Sequence, residues 1–223
     1  MDNVGQAWQF AVANWSGADG VNNVSMALFQ HIEYVVLSLL IAAVLCVPLG
    51  ILAARSRVAS FLTINIFGTI RAIPSIAILF LALPVLGPYL GYDFGPALIA
   101  LTILACPPIL VNTSAGFRGI DPAVVEAARG MGMSPLQVLW KVETPLALPV
   151  VLAGVRTSTL EVIASATLAI FIGGGGLGLF IEEGLPNQDI ARLLVGAVPI
   201  AAMALFAEVL FGLAQRFFSP TVV

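Results

Sequence analysis

The sequence predicts an all-α integral membrane protein of about five transmembrane helices. Three observations carry that prediction. The chain of 223 residues is 60% hydrophobic and 9% charged, and its mean hydropathy is +1.05. A soluble domain needs a polar shell, and so few charged residues cannot build one. The apolar residues also gather into runs near the roughly 20 helical residues that a bilayer core requires, and most arginines fall between those runs.

The elements follow in order. Over residues 1–15, Val4, Trp8, Ala11, Val12 and Trp15 recur near helical spacing, which suits a helix lying at the membrane interface. Residues 16–23 are rich in Gly, Asn and Asp and read as a loop. The first span runs from about His31 to Ala54, stopped by Arg55 and Arg57. Residues 58–70 are apolar but interrupted by Thr63, Asn65 and Gly68, and read as a shallow or tilted lead-in helix. Pro74 then marks a bend into a second span of about 74–90. The third span is about Phe94–Ala115, a polar stretch occupies 116–144, and the fourth span is about Pro145–Ile172. A glycine-rich connection over 173–189 leads to a fifth span of about Ile190–Gln215.

Charge placement gives this layout a direction. Arg55, Arg57, Arg71, Arg118, Arg129, Lys141 and Arg216 fall on one side under the five-span reading, and Arg192 on the other. The positive-inside rule then puts the N-terminus outside and the C-terminus in the cytoplasm. The domain reading is an extracytoplasmic segment over 1–30, a transmembrane domain over 31–216 and a short cytoplasmic tail over 217–223. The first basic residue is Arg55, so the start does not read as a cleaved signal peptide. Cys46 and Cys106 lie inside apolar runs and read as packing residues. His31, the single histidine, reads as an interface residue. No basic tract for nucleic acid is present.

The cytoplasmic stretch carries the sharpest local signals. Asp121-Pro122 is an N-cap followed by proline at the first helical position, and Ser134-Pro135 repeats the pattern. Between them, Gly130 and Gly132 permit a sharp turn. Two short helices joined by a glycine bend result. Glu126 and Arg129 share a face, beside the low-profile Ala127 and Ala128. That shape suits a groove on a partner, or packing beneath its own bundle.

The spacing is more specific than the shape. Glu126-Ala127-Ala128, then Gly132 after three residues, then Val142-Glu143-Thr144-Pro145 after nine more resembles the EAA signature of ABC importer permeases, with Thr144 where leucine is usual. The resemblance implies the type I ABC importer permease fold, with this loop as the coupling helix. Glu126, Ala127, Ala128, Arg129, Gly132 and Pro145 would then contact a dimer of cytoplasmic ABC ATPases. It also implies a second permease subunit, identical or homologous, and a separate extracytoplasmic substrate-binding protein. Residues 28–216 further resemble permeases of osmoprotectant importers, which carry glycine betaine, choline, carnitine and similar quaternary ammonium compounds. Another small solute, such as an amino acid or other betaine, is the alternative cargo. An ion-driven carrier or channel, which needs no ATPase, is a more distant alternative.

No P-loop is present, because the single lysine, Lys141, follows Trp140 and the run Gly173 to Gly176 has no lysine after it. The chain is expected to be non-catalytic and to hold no cofactor, with ATP and Mg bound by the partner ATPase in a bacterial inner membrane. On the fourth span, Thr157, Ser158, Glu161 and Ser165 form a polar stripe. A carboxylate at that depth is costly unless paired or functional. The stripe reads either as a translocation path or as helix packing, with Arg156 or Arg71 as the partner of Glu161. Gly173, Gly174, Gly175 and Gly176 read as an outer gate or a plain connector.

Overall fold

The computed structural model describes residues 3–16 and 23–218. The expected loop over 16–23 and tail over 217–223 therefore lie mostly outside the described residues. Among those described, the structure is helical and holds no strand. The helices are α1 (Asn3–Ala13), α2 (Val24–Ala54), α3 (Arg57–Ile70), α4 (Ser75–Leu90), α5 (Phe94–Arg118), α6 (Pro122–Gly130), α7 (Pro135–Val138), α8 (Thr144–Ala166), α9 (Gly178–Asn187) and α10 (Ile190–Phe218). A π-helical segment over Leu139–Glu143 joins α7 to α8, and a 3₁₀ segment over Thr167–Ile172 extends α8.

Four helical runs are long and apolar enough to cross a membrane alone: α2, α5, Pro135–Ile172 and α10. The pair α3–α4, bent by 93°, makes a fifth. The bend answers to sequence. Pro74 cannot donate a backbone hydrogen bond and forces its predecessor out of helical geometry. The chain there turns through Arg71, Ala72 and Ile73, and the amides of Ala72 and Ile73 reach only three residues back, to Thr69 and Ile70.

Two boundaries differ from the sequence reading. The helix that carries the first span starts at Val24, ahead of the apolar run from His31, because the Asn23 side chain accepts the Met26 amide at 2.9 Å and caps the helix early. The connection over 173–189 contains a helix of its own, α9, which starts once the glycines have made their turn.

The core is the contact of α5 with α2 and α8. More than half of the central α5 window is buried, whereas only 17% of that of α10 is. Small residues let these backbones approach closely. A methyl group placed on Gly50 would lie 2.7 Å from the Thr113 Cβ, and one on Gly154 would lie 2.8 Å from the Pro108 carbonyl oxygen. Polar side chains satisfy themselves on their own helices. Thr102, Asn112 and Thr159 each donate to the carbonyl four residues back at 2.8 Å. Nothing in a bilayer core would otherwise accept those hydrogens.

The helices alternate in direction. Tyr34 stacks on Phe94 at 4.7 Å between ring centroids at one end of the bundle, and Gly50 meets Thr113 towards the other. His31 reaches the Ile163 carbonyl at the first end, and Arg55 reaches Glu143 at the second. The first end carries Gly173–Gly176 and the second carries α6 and α7, and we refer to them as the glycine end and the loop end. Helix α1 sits at the glycine end. Its residues Ala7, Phe10 and Ala11 pack against Leu177, Phe180 and Val195, with Phe10 edge-on to Phe180 and beneath the Arg192 guanidinium. Val4, Trp8, Val12 and Trp15 remain exposed, while Ala11 from the same sequence pattern packs inward.

One charge is not where the sequence reading put it. Arg71 does not lie with Arg55 and Arg57 at the loop end. It occupies the α3–α4 bend and lines a cleft with Leu104 and Pro107, which sit midway along α5. The reason is that α3 climbs the bundle before the bend, with Ser60 bonded to Ser114 near its start.

Candidate functional site

At the loop end, the capping signals act as the sequence reads. The Asp121 carboxylate accepts the Ala123 amide at 2.9 Å and starts α6. Ser134 and Gln137 form a reciprocal capping box at α7. Between them the chain closes α6 with a Schellman motif: the Met133 amide reaches the Ala128 carbonyl at 3.3 Å and the Gly132 amide reaches Arg129 at 2.9 Å. Gly132 sits at φ +83°, in the left-handed region that glycine enters without steric cost. A side chain there would meet open space, so backbone angle and not crowding selects the residue.

This geometry sorts the motif residues by face. Ala128 is buried against the protein's own loop. Glu126, Ala127, Arg129 and Gly132 are exposed, and Pro145 is exposed at the foot of α8. The alanine pair thus divides its work: one packs the helix down and the other leaves a low surface outward. Three large apolar residues that sequence reasoning passed over lie on the same projection. Met131, Leu136 and Trp140 are each more than 60% exposed. Their signal was present, since an exposed apolar cluster on a polar loop marks a contact surface.

The loop is anchored from below. The Arg55 guanidinium, at the C-terminal cap of α2, binds both carboxylate oxygens of Glu143, one of them at 2.8 Å. Glu143 is buried and Arg55 is half-exposed. The ion pair ties the end of the first span to the π-helical segment that carries the loop into α8. Sequence reasoning placed Arg55 as a stop signal and Glu143 as a motif spacer. Their shared depth at the ends of two spans was the available clue.

The polar stripe of the fourth span separates into different environments. Ser158 is fully buried and donates to the Ala105 carbonyl at 2.8 Å, which makes it a helix-packing residue in this structure. Thr157 is exposed and donates to its own helix at Ala153. Glu161 and Ser165 instead line a cleft of about 270 Å³ together with Arg71, Ser75, Leu104 and Pro107. Glu161 faces Arg71 at 3.7 Å, with both side chains about 40% exposed. Arg156, the other candidate partner, turns to Glu208 and Gln215 on α10. The cleft therefore presents one opposed charge pair midway through the bundle, on a side that the chain's own helices leave open.

At the glycine end, the run Gly173–Gly176 is a tight turn seated on α2. The Gln30 side-chain oxygen accepts the Gly176 amide at 3.2 Å, and the Gly174 amide reaches Ala169 at 2.9 Å. A methyl group on Gly174 would lie 2.8 Å from the Ala169 carbonyl and 3.0 Å from the Tyr34 hydroxyl. His31 is not an interface residue: it is fully buried beneath this turn, with Nε2 3.1 Å from the Ile163 carbonyl. Gln30, His31 and Tyr34 were legible as polar groups opening an apolar helix, and such groups seldom stand idle in a membrane.

Comparison with known proteins agrees with this arrangement. Residues 46–223 match the family model for the binding-protein-dependent transport system inner membrane component. The chain is 38% identical to the choline transport system permease protein OpuBB of Bacillus subtilis, over 86% of this chain and 87% of that one. It is 39% identical to the carnitine transport permease protein OpuCB of Listeria monocytogenes, over 91% of each. In fold it is similar to a chain of the inward-facing MetNI methionine ABC transporter, at TM-score 0.75 and 21% identity, over 88% of this chain and 96% of that one. The fold is that of a type I ABC importer permease, in a multi-pass protein of the bacterial inner membrane. The chain belongs to the family of binding-protein-dependent transport system inner membrane components.

Proposed function

We propose that this chain is the permease subunit of an ATP-binding cassette importer that takes up quaternary ammonium osmoprotectants such as glycine betaine, choline and carnitine. The observation that carries the coupling role is the capped, glycine-closed helix α6, which turns Glu126, Ala127, Arg129 and Gly132 outward on a rigid base. A bundle that only had to span lipid would have no use for such a projection. Relatives that transport choline and carnitine support the cargo.

In this reading the loop end faces the cytoplasm, as its arginines and Lys141 favour. Two ATPases, each binding ATP and Mg, receive the α6 helices of two permease subunits in clefts on their surface. ATP-driven closure of the ATPases moves α6 as a rigid body. The Arg55–Glu143 pair passes that movement to α2 and α8, and the spans rock between outward- and inward-open states. A separate receptor delivers cargo at the glycine end. The cleft at Arg71 and Glu161 lies on the path, and its carboxylate offers a passing cation a weak site.

The test is uptake of radiolabelled glycine betaine by proteoliposomes holding the permease, its ATPase and its receptor. Uptake should require ATP. Glu126→Lys should abolish it while membrane insertion and thermal stability stay at wild-type levels, because Glu126 is exposed. Uptake without the ATPase, or wild-type uptake by Glu126→Lys, would overturn the reading.

A further inference from the structure

The α8–α10 groove at the loop end holds charged groups that the transport mechanism does not use. Arg156 of α8 donates to both carboxylate oxygens of Glu208, and to the Gln215 side-chain oxygen at 3.1 Å. Arg216 stands one residue further along α10, exposed, and takes part in none of the ion pairs among the described residues. Together with Val209, Gly212 and Leu213, the side chains of Arg156, Gln215 and Arg216 line a cleft of about 480 Å³. Glu208, paired with Arg156, offsets one of the two arginines and leaves a single positive charge in excess.

The helix face above the cleft has a consistent chemistry. At 3.6 residues per turn, Leu205, Val209, Gly212, Leu213 and Arg216 fall within roughly a 100° arc of α10. Leu205, Val209 and Leu213 are exposed, and nothing lies within 4 Å of where a Gly212 side chain would begin. The face is therefore an apolar strip with a notch at Gly212 and a free cation at its end. From Leu205 to Arg216 the rise is about 16 Å, which is close to half the roughly 30 Å hydrocarbon core. Beyond Arg216, Phe217 and Phe218 meet edge to face at 5.2 Å, an aromatic pair at the depth where such rings favour the headgroup layer.

We propose that this groove binds an anionic phospholipid. One acyl chain lies along Leu205, Val209 and Leu213, and the headgroup phosphate is held by Arg216. Arg156 is fixed in place by Glu208, and that carboxylate moderates the positive potential it adds. A quaternary ammonium cargo would be repelled by the excess charge, and a zwitterionic lipid would gain little from it. Basic pockets between spanning helices near a membrane surface suit phosphate headgroups for this reason.

The experiment uses the purified permease complex in mixed micelles holding equal phosphatidylglycerol and phosphatidylcholine. Native mass spectrometry counts the lipids retained. Wild type should retain phosphatidylglycerol selectively, and Arg216→Gln should weaken retention about fivefold, as expected for one arginine near a membrane surface. Gly212→Leu, which fills the notch without touching its own fold, should act in the same direction. Arg57→Gln, which removes a cation at the same end of the bundle, should change nothing. Equal retention of the two lipids by wild type would overturn the proposal. So would undiminished retention by both Arg216→Gln and Gly212→Leu. Displacement of the lipid by millimolar inorganic phosphate would also overturn it, since the site would then be one for a free anion. None of these readings depends on ATP or on cargo.

Discussion

Glycine does one kind of work at the loop end of this molecule and two at the glycine end. At the loop end, Gly132 is chosen for its backbone angle and is surrounded by open space. At the glycine end, Gly173 and Gly176 share that left-handed angle, at φ +83° and +102°, but Gly174 and Gly178 are chosen for crowding, with carbonyl oxygens of Ala169 and Thr167 where a side chain would stand. One turn projects a helix outward and the other clamps the chain against α2. A glycine run reads in sequence as flexibility, yet each of these turns carries defined hydrogen bonds. The loop end holds a short helix clear of the bundle, and the glycine end packs its turn onto the bundle.

The largest effect should come from crowding. Gly178→Ala drives a methyl into the Thr167 carbonyl at the junction of the 3₁₀ segment and α9, and neither backbone has room to yield. Gly174→Ala meets the Ala169 carbonyl at 2.8 Å. Overpacking of this kind costs about 1–3 kcal/mol, and more where backbone blocks relaxation. Both variants should lower the thermal stability of the detergent-purified protein by many degrees, with Gly178→Ala the worse. Melting curves that matched wild type would show the clamp to be loose.

The next effect should come from the anchor. Arg55→Met leaves the Glu143 carboxylate buried without its guanidinium. Breaking a fully buried pair costs about 3–5 kcal/mol. Arg55 is half-exposed, so water can replace part of what is lost, and about 2 kcal/mol is a fair expectation here. Adding Glu143→Gln should recover most of that loss, because the buried charge then disappears as well. A double variant as unstable as the sum of the singles would mean that the two groups do not act as a pair.

These cases also show what the sequence could convey. Spans, caps and the bend were legible because each rests on local chemistry: apolar run length, Asp121-Pro122, Ser134-Pro135 and Pro74 all act within a few residues of themselves. The start of α2 was missed because an N-cap at Asn23 outranked a dip in hydropathy. The pairing of Arg71 with Glu161 rather than Arg156 was not legible, since it depends on how far α3 climbs before it bends. The polar stripe on α8 failed to stay together for a similar reason. Ser158 and Glu161 are three residues apart, but α5 covers the first and leaves the second open. Burial of one face is a tertiary fact, and helical spacing alone does not reveal which face it will be.

The smallest effects on the fold should fall on the loop surface, where they separate the two ends most cleanly. Gly132→Ala keeps the open space but must hold a side chain at φ +83°, at a cost of about 1 kcal/mol. Leu136→Ser and Trp140→Ser remove side chains that are mostly exposed, so their stability should stay within about 0.5 kcal/mol of wild type. If α6 and the segment behind it dock into an ATPase, the same substitutions should weaken copurification of that ATPase far more than they weaken the permease. An apolar anchor buried at an interface commonly contributes 2 kcal/mol or more, roughly a thirtyfold loss of affinity. The contrast with Gly174→Ala is then complete: there the fold fails and takes binding with it, whereas here the fold stands and binding fails alone. Retention of the ATPase by both serine variants would confine docking to the outer face of α6, and would leave Leu136 and Trp140 as lipid-facing residues at the membrane surface.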